Sequence, residues 1–325
     1  MIKIIYDIFG KLYRKVNICL SIFYLNKFKL KKEKYKIHEQ IFKLILRDKK
    51  KKLNSKIDKK NLFPSFIKFK LEMRKIIFNK DKLKNFLTQD EIHKVMCGLN
   101  RIIFYKELKE IMEEKYWKKY WKKIIIEDYI GNPIPYFIYP KSSGNRIHET
   151  FNIMKLIKFN KLNNKVENIF EFGGGYGGFC NLYKKIFKVK KYIIYDLPEV
   201  SYIQFYYLKM LGYNVKINST KISNNDYIYL FSDIKLLNKF VKKIRANKTL
   251  FISNWGFSET PIFLRKKFEK FILKSREVYF AFQQQFGKID NLKYFNSLFK
   301  KRKNFLDKYS RMNENHFYLY SKNLN

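Results

Sequence analysis

"NIFEFGGGYGGFCNLYKKIF", Asn168 to Phe187, interrupts a chain otherwise rich in lysine, isoleucine, phenylalanine and tyrosine. Five of the twelve glycines of this 325-residue chain fall inside six positions, Gly173, Gly174, Gly175, Gly177 and Gly178, with only Tyr176 between them. The run before them, "NIFEF", reads as a buried strand, being apolar and aromatic almost throughout, and the run after them reads as a helix. A strand that passes through bare backbone into a helix N-terminus puts amide groups where a ligand can approach them.

The same alternation continues outward from the glycines. "YIIYD" (192–196), "YIYLFS" (227–232), "TLFISN" (249–254) and "VYFAFQ" (278–283) read as further buried strands, with helices expected at 177–188, 198–211, 235–245 and 262–274. Alternating strands and helices predict an α/β fold, a doubly wound, Rossmann-like sheet that is parallel and covered on both faces. "HFYLY" (316–320) is expected to be a final edge strand.

Ahead of the glycines the texture is helical. Thr88 and Glu91 form a capping-box pattern, and Ile92, Val95, Met96, Leu99 and Ile103 follow at the spacing of a core-facing helix. Trp117 and Trp121, four residues apart, read as a packing seam. Arg47 to Asn61, "RDKKKKLNSKIDKKN", reads as an exposed connection between helices. Gly131, Pro133, Pro135, Pro140 and Gly144 rule out a long helix and mark a loop or boundary. The expected division is a mainly helical N-terminal region, 1–145, acting as a substrate cap or association surface, and a ligand-binding domain, 146–325.

A formal charge of +42 invites a nucleic-acid reading, because basic surfaces collect phosphate by counterion release. Composition argues against it. Lysine outnumbers arginine sixty to ten, only two alanines occur (Ala246 and Ala281), and Asn, Ile, Phe and Tyr abound, which is the usage of an AT-rich genome. Nucleic-acid readers favour the bidentate guanidinium, and arginine is scarce here. Cys19, Cys97 and Cys180 are an odd number without a CxxC pair, so neither a disulfide framework nor a zinc site is expected, and a reducing cytoplasm fits. The first thirty residues are apolar but interrupted by Lys3, Asp7, Lys11, Arg14 and Lys15, too short a clean run to span a bilayer. A basic, aromatic helix lying peripherally on the inner membrane face is the alternative to ordinary packing there.

The glycines fit two ligand patterns. Gly173, Gly175 and Gly178 satisfy the dinucleotide pattern GxGxxG, while Glu171, Gly173, Gly175 and Gly177 satisfy ExGxGxG, associated with S-adenosylmethionine. Glu171 decides for the second, since a carboxylate beside the loop suits a cationic ligand and would repel a pyrophosphate. Asp196 ends the second strand twenty-three residues after Gly173, where it can accept hydrogen bonds from ribose hydroxyls; a helix cap is the alternative. Ser232 and Asp233 close the next strand and could bracket an adenine.

Three stretches together resemble a family of bacterial sugar O-methyltransferases. "FEFGGGYGGFCNLYKKIF", "YIIYDLPEVSYIQFYYLKMLG" and "FISNWGFSETPIFLRKKFEKFI" follow its pattern of E-x-G-G-G-Y-G-G, D-L-P-E and S-N-x-A-F-S-E, with Gly256 in place of the small residue of the third motif. The likeness covers about residues 130 to 290, and the N-terminal third has no counterpart. It implies a class I methyltransferase fold, S-adenosylmethionine as cofactor, and a sugar acceptor, free or carried on a nucleotide or lipid.

Methyl transfer to a hydroxyl needs a base aligned behind the acceptor oxygen. Glu259 and His148 are the candidates, the one following the fourth strand and the other preceding the first. Asn254 and Trp255 could position the acceptor, and Tyr176 would cover the cofactor; no His/Asp cluster suggests a catalytic metal. The resulting expectation is a cytoplasmic O-methyltransferase acting on a surface-polysaccharide sugar or its precursor. Its rivals are an RNA methyltransferase using the basic surface, a non-catalytic polysaccharide-locus binding protein, and a nicotinamide oxidoreductase.

Overall fold

The computed structural model describes residues 32–52, 64–96, 101–160, 166–223, 226–309 and 315–323. Its strands are β1 (Pro135–Tyr136), β2 (Tyr139–Ser143), β3 (Asn168–Phe172), β4 (Lys191–Tyr195), β5 (Asn214–Ile217), β6 (Tyr227–Phe231), β7 (Thr249–Asn254), β8 (Glu277–Gln283), β9 (Gln285–Phe286), β10 (Ile289–Asp290), β11 (Lys303–Tyr309) and β12 (His316–Lys322). Eight of them form one sheet in the order β11-β12-β8-β7-β3-β4-β6-β5. The strands from β5 to β8 run parallel, and β12 and β11 close the far side antiparallel. The strand carrying the glycines lies at the centre, with all five of its residues buried.

Side-chain alternation along these strands sorts the two faces by chemistry. Phe170, Phe172, Ile193, Phe231, Phe251 and Phe280 point to one face, where Phe240, Phe268 and Phe295 from the helices Ile234–Val241, Ile262–Lys274 and Asn291–Leu298 meet them. Ring pairs such as Phe172 with Phe268, 4.9 Å apart and edge-on, recur across this layer. The other face presents Ile169, Ile194, Leu230, Ile252 and Tyr279 to the helices Gly144–Asn160, Gly178–Ile186 and Pro198–Met210. The N-terminal helices join this same core through Met73, Ile76, Phe86, Ile92 and Leu108 and add a further layer on that side. The helix Gly144–Asn160 runs across position 145, so the cap and the sheet share a continuous element there.

A buried ion cluster fastens the layers together. Arg146, fully buried, places Nη2 2.6 Å from Asp128 Oδ2, 3.2 Å from Glu127 Oε2 and 3.0 Å from the Tyr207 hydroxyl. Asn181 donates to the same Asp128 oxygen at 2.9 Å. Four segments therefore meet in one buried cluster. Further out, Arg74 and Lys70 on the helix Pro64–Ile77 reach the buried Glu199 at 2.8 and 3.6 Å.

Several sequence expectations need correction. "HFYLY" is a strand but not an edge, because β11 pairs outside it; the alternating polar residues of "KNFLDKY" concealed β11. Arg47 to Lys52 continue the helix Lys32–Lys52 and are not a connection, while 53–61 lie outside the described residues. The Thr88 and Glu91 capping box does not form: Thr88 Oγ1 donates to Asn85 O from a 3₁₀ turn, and the helix begins at Asp90. Of its expected core face, Ile92 and Ile103 are buried, Val95 is exposed, and Leu99 lies outside the described residues. The Gly/Pro-rich boundary contains the β1–β2 hairpin, and Gly144 opens a helix. Cys19, Cys97 and the first thirty residues also lie outside the described set. Among the described residues no helix is long and apolar enough to cross a membrane.

Two glycines set the distance between β3 and β7. A Cβ on Gly256 would stand 2.9 Å from Gly173 Cα, and one on Gly173 would stand 2.9 Å from Gly256 Cα. Gly256→Ala should therefore destabilise the protein by about 1–3 kcal/mol through overpacking, read as a lower midpoint in denaturant unfolding. An unchanged midpoint would show that the two loops can separate freely.

Candidate functional site

Parallel strands all end on the same side of their sheet, so the loops after β3, β4, β6 and β7 gather there. Antiparallel β12 brings His316 to the same end, opposite Gln283. A cavity of about 460 Å³ opens between these loops and the helices above them.

One side of the cavity is the glycine loop and its neighbours. Gly173, Gly175 and Gly177 have φ of +74°, +55° and +95°, which favours glycine at each. A Cβ on Gly175 would meet nothing within 4 Å, so this backbone borders open space and not protein. Glu171 lines the cavity with its Oε2 accepting the Tyr192 hydroxyl at 2.8 Å. Asp196 lines it next door. Its Oδ1 accepts from the Leu197 amide and its Oδ2 from Gln204 Nε2, which also reaches Gly175 O, all at 2.8–2.9 Å. Leu197 is the N-cap of the helix Pro198–Met210 with no side-chain cap, so Asp196 is not that helix's cap.

The opposite side carries the acid–base groups. His148 Nδ1 lies 2.8 Å from Oε1 of the fully buried Glu107, and the imidazole lies 5.1 Å from the Trp255 ring, tilted 35° to it. A carboxylate there fixes the proton on Nδ1 and leaves Nε2 as the basic nitrogen. Trp255 sits at φ +63° with the Gly256 amide bonded back to Asn254 O, a strained γ-turn. Ser253 holds this turn by donating to Phe172 O and accepting from the Phe257 amide. The Trp255 amide is anchored on Ala281 O and its indole donates to His316 Nδ1 at 2.9 Å. Asn254 Oδ1 is buried with no hydrogen-bond partner among the described residues, an acceptor waiting for a donor. Glu259, half-buried, is reached by Gln283 Nε2 at 3.4 Å.

The structure brings Glu171, Gly173, Gly175, Asp196, Ser232, Asn254, Trp255, Glu259 and His148 to this one cavity. Three expected site residues go elsewhere. Tyr176 does not cover the cavity; it is buried between Phe86 and Tyr207, its hydroxyl 2.9 Å from Asn145 Nδ2. Asp233 caps the helix Ile234–Val241 by accepting from the Lys235 and Leu236 amides, and it does not line the cavity. Gly177 packs on Leu208 as the N-cap of the helix Gly178–Ile186. Glu107, Glu149, Asn152, Gln204 and His316 were missed, being isolated polar residues in helices or strands without local pattern.

Burial dominates the electrostatics. It pushes Glu171 and Glu149 up to about 8, and Asp196 and Glu259 up to about 7. Four carboxyl groups around one cavity therefore keep protons near neutrality. Among the described residues no group of three or more His, Cys, Asp or Glu could hold a metal ion.

No family model matches the chain, and no curated protein matches it. Solved structures with a similar chain path include an rRNA methylase from Streptococcus thermophilus, 15% identical over 54% of this chain and 97% of that one, TM-score 0.39. A SAM-dependent methyltransferase from Aquifex aeolicus is 13% identical over 52% and 87%, TM-score 0.35. An O-methyltransferase family protein from Burkholderia thailandensis is 8% identical over 55% and 60%, TM-score 0.35.

The raised carboxyl groups have a thermodynamic signature. The folded chain retains protons that the unfolded chain releases between about pH 4.5 and 8, so stability falls as pH rises through that window. The melting temperature of the ligand-free protein should be lower at about pH 8.5 than at about pH 5. A melting temperature that climbs over this range would count against the raised carboxyl groups as the dominant influence on stability.

Proposed function

We propose that the chain is an S-adenosylmethionine-dependent O-methyltransferase acting on a sugar hydroxyl of a surface polysaccharide or its precursor. The carrying observation is that the glycine loop, Glu171 and Asp196 share one cavity with His148, which the buried Glu107 holds from behind. The residues fit the cofactor: open space at Gly175, two carboxyl groups that would turn anionic beside a cation, and the half-buried Ser232 and Leu197 where the base would lie. When bound, S-adenosylmethionine supplies an electrophilic methyl group on a sulfonium.

The chain's own residues do the rest. His148 Nε2 accepts the acceptor's proton as its oxygen attacks, with Glu107 stabilising the imidazolium that forms. We place the base there in preference to Glu259 because the His148 ring is already oriented by the buried Glu107 carboxylate at 2.8 Å, whereas Glu259 is reached by Gln283 Nε2 at 3.4 Å and suits orienting the hydroxyl. Trp255 offers an aromatic face to a sugar ring, and Asn254 Oδ1 offers a buried acceptor to one of its hydroxyls. Phe104, Ile103 and Met96 line the same space and exclude water.

Calorimetry with S-adenosylmethionine and NAD tests the cofactor; Gly175→Val, which strains a positive-φ position and fills open space, should abolish binding of the former. Binding of NAD alone would overturn the reading. His148→Ala should lower turnover about 10²–10⁴-fold with cofactor affinity intact, and Glu259→Gln should cost less. The reverse order would return the base to Glu259. Labelled methyl should appear in nucleotide sugars, lipid-linked oligosaccharides or polysaccharide; label in RNA alone would refute the sugar acceptor.

A further inference from the structure

Phe137, Tyr116 and Ile138 are the three most exposed large apolar side chains among the described residues, at 64%, 55% and 54%. Scattered singly they would need no explanation. Here they gather. Phe137 and Ile138 form the tip of the β1–β2 hairpin, and the next residue, Tyr139, packs its ring 6.2 Å from Trp117, which directly follows Tyr116. Trp117 opens the π-helical turn Trp117–Trp121, whose Trp121 is buried.

The chain flanking this apolar tip is basic from Lys115 onward, and the acids just before it, Glu113 and Glu114, pair with Lys109 and Lys158. Lys115, Lys118, Lys119, Lys122, Lys123 and Lys141 are all exposed, and no acidic residue occurs from Lys115 to Ile126 or from Tyr129 to Lys141. The two acids between those stretches, Glu127 and Asp128, turn inward to Arg146. The hairpin's inner residue, Tyr136, is buried and meets Phe104 edge-on at 6.1 Å, and Phe104 lines the cavity. The tip is thus one aromatic layer from the site.

We propose that this face docks the protein on an anionic lipid bilayer, with Phe137 and Ile138 inserted among the acyl chains and the lysines on the headgroups. Two consecutive apolar residues at a turn tip, ringed by lysine and flanked by tryptophan and tyrosine, match the polarity gradient of a bilayer interface. RNA is the other polyanion to consider. An isoleucine gives no stacking platform for a base, and residues 115–141 contain no arginine. The proposal stands apart from the methyl-transfer reading, since it concerns the outer face of the hairpin alone.

The test is co-sedimentation of the full chain with phosphatidylcholine vesicles, with and without phosphatidylglycerol. The wild type should bind the anionic vesicles and release as salt rises. Each Lys→Gln change among Lys118, Lys119, Lys122 and Lys123 should weaken binding roughly fivefold. The double variant Phe137→Ser/Ile138→Ser should weaken it at least tenfold at unchanged melting temperature, and Ile138→Trp should restore or tighten it. Vesicle binding insensitive to the hairpin variants would overturn the proposal and assign membrane contact to another segment. Binding of a single-stranded RNA oligomer that is lost in the lysine variants, with no vesicle binding, would overturn it in favour of nucleic acid.

Discussion

Two loops touch backbone to backbone at Gly173 and Gly256, and the site is built around that contact. The polypeptide leaving β3 and the polypeptide leaving β7 approach until neither position can hold a Cβ without displacing the other. Ser253 reinforces the approach by bridging Phe172 O and the Phe257 amide. Once the strand ends are this close, the β3 loop must swing out through positive φ, exposing Gly175 to open space, and the β7 loop must fold over sharply, forcing Trp255 into a γ-turn. The glycine that borders open space and the indole beside His148 both follow from one steric limit. Strain at Trp255 is tolerated because its amide and its indole are both tied, to Ala281 and to His316.

The N-terminal region and the sheet share an apolar core and are joined by charge as well. Arg146 draws Glu127 and Asp128 inward from the segment before the hairpin, while Tyr207 and Asn181 reach the cluster from two sheet-covering helices. A buried guanidinium is costly unless its partners are in place, so the cluster ties the segment of Glu127 and Asp128 to the helices that carry Arg146, Asn181 and Tyr207. This register sets Glu107, on the helix Arg101–Glu113, against His148, on the helix Gly144–Asn160. The same register leaves the lysines of 115–123 facing outward, since the acids of this region are committed to Arg146.

Much of the sheet was legible in the sequence because its strands are continuously apolar. Asn168–Phe172 and Thr249–Asn254 fall where the residues place them, and the alternation of phenylalanine with isoleucine, leucine and tyrosine already carries the two faces. β5 and β11 were not legible: "NVKI" is short and "KNFLDKY" alternates as an outer strand does, with charges where a buried strand has none. The glycine-loop side of the cavity could be found through glycine spacing, a local feature. On the opposite side His148 could be named from the sequence but its partner Glu107 could not, because the two are forty-one residues apart and meet only through helix packing. Tyr176 misled for a related reason. Its place amid the glycines suggested the ligand, whereas positive φ on both sides turns its ring into the core, against Phe86 and Tyr207.

The position of β12 bears on how the chain reaches this state during synthesis. β12 follows β11 in sequence yet lies between β11 and β8 in space, pairing with both. Until residues 316–322 leave the ribosome, β8 has an unsatisfied edge and β11 has no strand partner at all. The nascent sheet therefore carries an open, aromatic flank, with Tyr279 and Phe280 beside unpaired amides, for as long as translation of that last stretch takes. A slow stretch of codons between β8 and β12 would lengthen that exposure, and a chaperone that shields unpaired strands would act on this flank.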